Sequence, residues 1–213
     1  TAYEIMPSLV GSEMCIRDRD REKIVKQELV KYGRKIAEAE FIIGSGGNIS
    51  IRCGNVIFIK AKGINMLKAN SGDYVSVDLK TGRIRPKLSQ PSSEYRMHIL
   101  CYLQRPDIRA VIHVHPPFCV ALSSTINSFR SGDYEFLANI KKGRLRIISY
   151  IRAGTLRLAK VVSKALKQED AVILKNHGLV CVGRSLEEAY VRCQAIERAS
   201  LIYILRKIIK LAC

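Results

Sequence analysis

Histidine is scarce in the 213-residue chain, at His98, His113, His115 and His177, and three of the four fall at the ends of expected strands. His113 and His115 in AVIHVHPP are two residues apart, so a strand puts both imidazoles on one face. Pro116 and Pro117 end that strand just beyond them. His177 lies in the turn Lys175-Asn176-His177-Gly178 between two apolar stretches, from which a third imidazole could converge. Three histidines with an open fourth position form the geometry of a catalytic zinc ion. A pair of half-buried structural histidines is the alternative for an isolated H-x-H.

Pro91-Ser92-Ser93-Glu94 adds two serines at an expected helix N-terminus, where free N–H groups and the positive dipole end favour a phosphate. An ordinary N-cap with an acidic first turn has the same sequence. Glu94 beside a metal ion would be a natural base, since the cation stabilises the carbanion it creates. His98 follows four residues later on the same helical face, as a partner of Glu94, a ligand or a packed helix histidine. Gly44-Ser45-Gly46-Gly47-Asn48 is a loop whose backbone N–H groups can approach a ligand closely.

The elements that must position these residues are mixed. From about Asp20, Val25, Leu29, Tyr32, Ile36 and Phe41 recur at helical spacing and run into the glycine-rich loop. Hairpins are expected over 49–60 and 74–85, a helix over 92–103 capped by Ser92 or Ser93, and a strand over 108–115. After an irregular stretch come a helix at 155–168, strands at 171–175 and 179–182, and a C-terminal helix capped by Ser185. Several hairpins among the helices argue against a purely parallel sheet.

Composition sets the frame. Hydrophobic residues at 47% allow a sizeable core and exclude wholesale disorder. No apolar run is long enough for an ordinary membrane span. Seven cysteines without a C-x-x-C pair, mostly in apolar runs, suit buried thiols in a reducing, cytoplasmic setting. The formal net charge of +17 raises the prior for anionic partners. The basic residues are dispersed rather than set in an aromatic-interleaved stripe, which argues against nucleic acid. Residues 1–19 show neither helical period nor a secretory signal and resemble translated adaptor sequence, so a non-native or disordered leader is expected there, with a single domain over 20–213.

Taken together, GSGGNIS (44–50), PSSE (91–94), HVHP (113–116) and KNHG (175–178) resemble, in order and spacing, the class II aldolase/adducin family, and among its sugar-phosphate enzymes the fuculose-phosphate aldolases. The resemblance runs over about residues 20–205. It implies a three-layer α/β/α sandwich around a mostly antiparallel sheet, assembled as a homotetramer with sites at subunit interfaces. It further implies one Zn²⁺ per subunit on His113, His115, His177 and Glu94, with Glu94 also the acid/base residue. Carried over residue by residue, the substrate phosphate falls to Ser45, Gly46, Asn48, Lys62, Gly63, Ser92 and Ser93. Lys62 departs from the family, which usually has a hydroxyl residue before that glycine; it could hold a phosphate as a point charge or receive a carboxylate. An ungapped count from HVHP places Tyr134 at the position of a proton-donating tyrosine; an exposed helix tyrosine is the other reading.

The activity so implied is zinc-dependent cleavage of a ketose 1-phosphate, similar to fuculose 1-phosphate, to dihydroxyacetone phosphate and a short aldehyde. Dehydration of methylthioribulose 1-phosphate, or sugar-phosphate epimerisation or decarboxylation, uses the same metal–glutamate pair and is the alternative. A non-enzymatic, adducin-like module is disfavoured, because adducin heads lack the metal histidines that this chain keeps.

Overall fold

The computed structural model describes residues 6–85 and 89–212, with side chains from residue 20 onward. Its elements in chain order begin with α1 (Met6–Glu38), β1 (Asn48–Cys53), β2 (Val56–Lys60), β3 (Tyr74–Asp78) and β4 (Ile84–Arg85). Next come α2 (Tyr95–Gln104), β5 (Ala110–Val114), α3 (Pro117–Thr125), β6 (Ser128–Arg130), α4 (Tyr134–Asn139) and β7 (Arg144–Ile148). The chain ends with α5 (Leu156–Leu166), β8 (Ala171–Leu174), β9 (Gly178–Gly183) and α6 (Leu186–Ala212). Of the leader expected at residues 1–19, residues 1–5 lie outside the described part, and the backbone of 6–19 continues α1. Among the described residues no helix is long and apolar enough to cross a membrane.

All the strands join one sheet in the order β4-β3-β2-β1-β5-β9-β8-β7-β6, antiparallel at every pairing but β7–β8. Strand alternation divides its apolar side chains between two layers. Ile49, Ile51, Phe58, Ile112, Val114, Leu179 and Cys181 pack with Val25, Leu29, Tyr32 and Ile36 of α1 and with α3, α4 and α6. Ile57, Ile59, Val111, Val172, Val180 and Val182 face Met97, Cys101 and Tyr102 of α2 and Leu158, Val162 and Leu166 of α5. Helices on both faces of a mostly antiparallel sheet make the expected three-layer sandwich.

Two local expectations are corrected. First, α2 starts at Tyr95 rather than Ser92, with Glu94 at the N-cap position and no side-chain cap bond. The cause lies upstream: the Ser92 N–H donates to the Lys60 carbonyl at 2.9 Å, and the Lys62 N–H donates to Gln90 at 2.9 Å. A bridge between Ala61 and Pro91 completes this short extension of the sheet, which leaves Ser92 no helical conformation to adopt. Second, the stretch read as irregular holds α3, β6, α4 and β7. β6 has three residues and α4 six, too few to display a period in sequence.

α3 also has an unusual cap. Its N-cap residue, Pro116, has no side-chain acceptor to offer. Glu197 of α6 supplies both oxygens instead, accepting from the Phe118 N–H at 2.9 Å and the Cys119 N–H at 2.7 Å. This tertiary cap holds the chain where it leaves the β5 end, two residues past His115. Replacing Glu197 by Gln turns one acceptor into a donor and should lower stability by about 1–3 kcal/mol. The check is a shifted urea midpoint with an unchanged slope; an unmoved midpoint would remove the cap from the fold's support.

Candidate metal centre

The site lies where β1, β5 and β9 lie side by side, at the end of β5 from which His115 follows. Asn48 pairs with His113 across β1 and β5, and His113 pairs with Val180 across β5 and β9. His113 points toward the α2 layer, opposite to Ile112 and Val114. His115 follows the strand, its N–H donating to the Phe41 carbonyl at 2.7 Å. The β8–β9 turn brings in His177, with its N–H on the Leu174 carbonyl at 3.0 Å and the Asn176 N–H on Ser123 Oγ at 3.0 Å. Asn176 has φ 55°, and a Cβ at Gly178 would fall on the Val114 carbonyl and within 2.7 Å of the His115 ring. Only glycine lets the turn come this close.

The three rings meet edge to face or tilted, with centroids 4.9 to 5.3 Å apart, and their ligand nitrogens all lie within 4.8 Å of one another. His113 Nδ1 faces the Leu179 carbonyl at 3.0 Å, so it carries the proton and Nε2 is directed into the cluster. There it meets His115 Nε2 at 3.2 Å and Glu94 Oε2 at 3.1 Å. Glu94, at the start of α2, also accepts from Asn48 Nδ2 at 3.0 Å. Its other oxygen, Oε1, is buried with no hydrogen-bond partner among the described residues.

Electrostatics sharpen the picture. Burial raises the Glu94 carboxyl, but the charge on His113 and the hydrogen bonds from His113 and Asn48 outweigh it and hold the group well below the usual range. Burial lowers His113, yet the Glu94 charge and hydrogen bond raise it overall. His115 is pushed down to about 3 by burial and then by the charges of His113 and His177. His177 is lowered by burial and His113. His113 and Glu94 thus each favour the charged form of the other. Three converging imidazole nitrogens, beside a carboxylate with one orphaned buried oxygen, fit one divalent metal ion.

Beside this cluster run the segments carrying the expected anion contacts. Ser45 is exposed on the glycine-rich loop, and a Cβ at Gly46 would lie 3.3 Å from His115 Nδ1, so the loop adjoins the histidines. Lys62 and Gly63 are exposed on the next loop, Ser93 is exposed, and Ser92 is buried with its Oγ accepting weakly from the Glu94 N–H at 3.4 Å. Asn48 is buried, its side chain turned to Glu94 and His98. Tyr134 is not brought to the cluster: it opens α4 and is 82% exposed.

Sequence reading missed Lys60. It is 2% exposed, and its Nζ donates to the Ser45 carbonyl at 2.6 Å and the Ile64 carbonyl at 2.9 Å, while its own carbonyl accepts from Ser92. One residue therefore ties together all three anion segments, and burial lowers its ammonium to about 8. The only sequence signal is a lysine closing the apolar strand Val56-Ile57-Phe58-Ile59.

The family model for the class II aldolase and adducin N-terminal domain matches residues 27–204. The L-fuculose phosphate aldolase of Methanococcus maripaludis is 35% identical over 182 residues, covering 85% of this chain and 97% of that protein. The protein of the same name from Methanocaldococcus jannaschii is 34% identical over 188 residues, covering 87% and 98%. The crystal structure of L-fuculose-1-phosphate aldolase from Thermus thermophilus superposes with a TM-score of 0.81 over 89% of this chain and 97% of that one, at 24% identity, and so shares the fold. The chain belongs to the class II aldolase and adducin family. It is an enzyme of the aldolase type, a carbon–carbon lyase.

His113→Ala should abolish stoichiometric uptake of a divalent metal, measured as metal content after dialysis; normal content would break the assignment. Uptake by the unaltered protein should weaken as pH falls, because protons compete with the metal for the histidine nitrogens and the Glu94 carboxylate. Titration calorimetry at several pH values reads that dependence directly.

Proposed function

We propose that the chain is a zinc-dependent aldolase that cleaves a ketose 1-phosphate, similar to fuculose 1-phosphate, into dihydroxyacetone phosphate and a short aldehyde such as lactaldehyde. The observation that carries this reading is the contact of three converging histidines and Glu94 with loops held together by a buried lysine. His113, His115, His177 and Glu94 would hold Zn²⁺. When bound, the ion supplies Lewis acidity that stabilises negative charge on the substrate oxygens.

Glu94 holds and returns the proton at the carbanion carbon through Oε1, the oxygen free of hydrogen bonds. The backbone at Ser45, Gly46, Lys62 and Gly63, with Ser92 and Ser93, fixes the phosphate and so orients the reacting bond. Asn48 keeps the inner end of the loop against Glu94. Lys60 sets a positive charge beneath the loops. Tyr134 is the proposed partner of the aldehyde oxygen, taking up the hydroxyl proton that this oxygen loses in cleavage and donating it back in the reverse condensation. Exposed on α4, it serves a site only through assembly, and a homotetramer is the proposed state. Exposed Leu137 on the same helix, and Ile208 and Ile209 at the end of α6, suit such an assembly. Free thiols at Cys53, Cys101, Cys119, Cys181 and Cys193 favour a cytoplasmic location.

Release of dihydroxyacetone phosphate from a panel of ketose 1-phosphates, with zinc and with chelator, tests the reading. Zinc-dependent release supports it; consumption of substrate without release points to dehydration or epimerisation instead. Glu94→Gln should retain zinc while kcat falls roughly 10²- to 10⁴-fold. Inhibition by inorganic phosphate should weaken as pH rises through about 8, because Lys60 is cationic below that value and neutral above it. A flat inhibition constant would remove Lys60 from phosphate binding.

A further inference from the structure

Behind Glu94 a line of buried polar side chains crosses the otherwise apolar layer between the sheet and α2. Asn48 and Ser50 are two apart on β1 and so face α2 together, while Glu94, His98 and Tyr102 recur every four residues along that helix. The two periods interlock. Asn48 Nδ2 donates to Glu94 Oε2 at 3.0 Å, and Asn48 Oδ1 is in hydrogen-bond contact with His98 Nε2. His98 Nδ1 meets Ser50 Oγ at 2.7 Å, and Ser50 Oγ meets the Tyr102 hydroxyl at 2.8 Å. Tyr102 also reaches the Ser50 carbonyl at 3.0 Å. Ser50 and His98 are fully buried, and Tyr102 is 1% exposed.

Starting from the Glu94 carboxylate, the side-chain contacts fix the protons in turn. A carboxylate only accepts, so Asn48 must turn its amino group to Glu94 and its carbonyl to His98. His98 must then carry its proton on Nε2, which leaves Nδ1 as an acceptor. Ser50 must donate to that nitrogen, and the one Tyr102 hydroxyl proton is shared between Ser50 Oγ and the Ser50 carbonyl. The opposite tautomer would turn the Asn48 carbonyl toward the Glu94 carboxylate, setting lone pair against lone pair. Buried polar groups in an apolar layer cost stability unless each is paired, and here each pairing depends on the next.

We infer that His98, with Ser50 and Tyr102 behind it, is a positioning residue for Glu94 that acts by fixing the orientation of the Asn48 amide. The inference rests on the reading of Glu94 as the acid/base residue. The chain keeps Glu94 Oε2 occupied by Asn48 and His113 and leaves Oε1 as the oxygen open to a proton. His98, Ser50 and Tyr102 act through Asn48 and Glu94, not on the reacting atoms.

The first test needs neither metal nor turnover. In metal-free protein labelled with ¹⁵N-histidine, the resonances lost in His98→Gln identify His98. They should report a neutral ring protonated on Nε2 and bare on Nδ1 across about pH 5 to 8. The Nδ1–H tautomer, or a ring that gains a second proton in that range, overturns the inference.

The second test compares variants. His98→Leu should lower kcat about 10- to 100-fold with KM within about twofold, the loss expected when an outer partner of a ligand is removed. His98→Gln places an amide N–H near the former Nε2 and should recover at least about tenfold of that loss at an equal melting temperature. A packed histidine without a positioning role would give equal kcat in the two variants, and that result overturns the proposal. Should His98→Leu fail to fold, Ser50→Ala removes the donor to Nδ1 and is expected to lower kcat in the same way; an unchanged kcat overturns it. If the unaltered enzyme cleaves no ketose 1-phosphate, the proposed activity fails, while the tautomer measurement still decides the inference.

Discussion

Side chains in β1 and β5 alternate between two apolar layers, and the antiparallel register sets Asn48 opposite His113. Everything chemical in the molecule depends on that pairing. A slip of one residue would turn Asn48, Ser50 and His113 into the α1 layer and bring Ile49 and Ile112 against Glu94. The register is secured because such a slip would also move Ile51, Val111 and Val114 to the wrong faces. Hydrophobic burial therefore does the positioning, and the polar groups take the places it assigns.

The cost is a set of ionisable groups in a dry layer. Glu94 and His113 offset one another, each shifting the other toward its charged form against the effect of burial. His115 and His177 remain neutral and so keep lone pairs for a cation. Lys60 has no carboxylate partner among the described residues. It rests on two loop carbonyls, and its lowered ammonium records the desolvation that remains. Lys60 thus places a buried positive charge beneath the loops, next to the Glu94–His113 pair.

The two glycines nearest the histidines are there for contact rather than mobility. At Gly47, φ is +63° and a Cβ would meet the His113 carbonyl at 2.8 Å. Gly178 closes the β8–β9 turn against β5. Such close approach lets a strand pair and a turn supply ligands to one point without a long loop. It also explains why the histidine motifs carry a following proline or glycine: the chain leaves the sheet just after His113 and re-enters it just after His177. Glu197 then takes over from α6, holding the start of α3 where proline supplies no cap.

The sequence by itself determined the three histidines, Glu94, the glycine-rich loop and most long elements. Each is encoded locally, by a period of two or about four, by a turn residue, or by a motif recognisable without its surroundings. α1, β5, β9 and α6 were legible for that reason, and so was the layered sandwich. Only the tertiary structure decided that α2 begins after Ser92, because a hydrogen bond from Ser92 to Lys60, distant in sequence, competes with the helix. It alone revealed Lys60 as the tie among three loops and His98 as the partner of Asn48. A lysine at a strand end and a histidine on a helix face look ordinary in sequence. Their roles come from which backbone carbonyl or side chain the fold places within 3 Å, and that is a property of register and packing, not of local pattern.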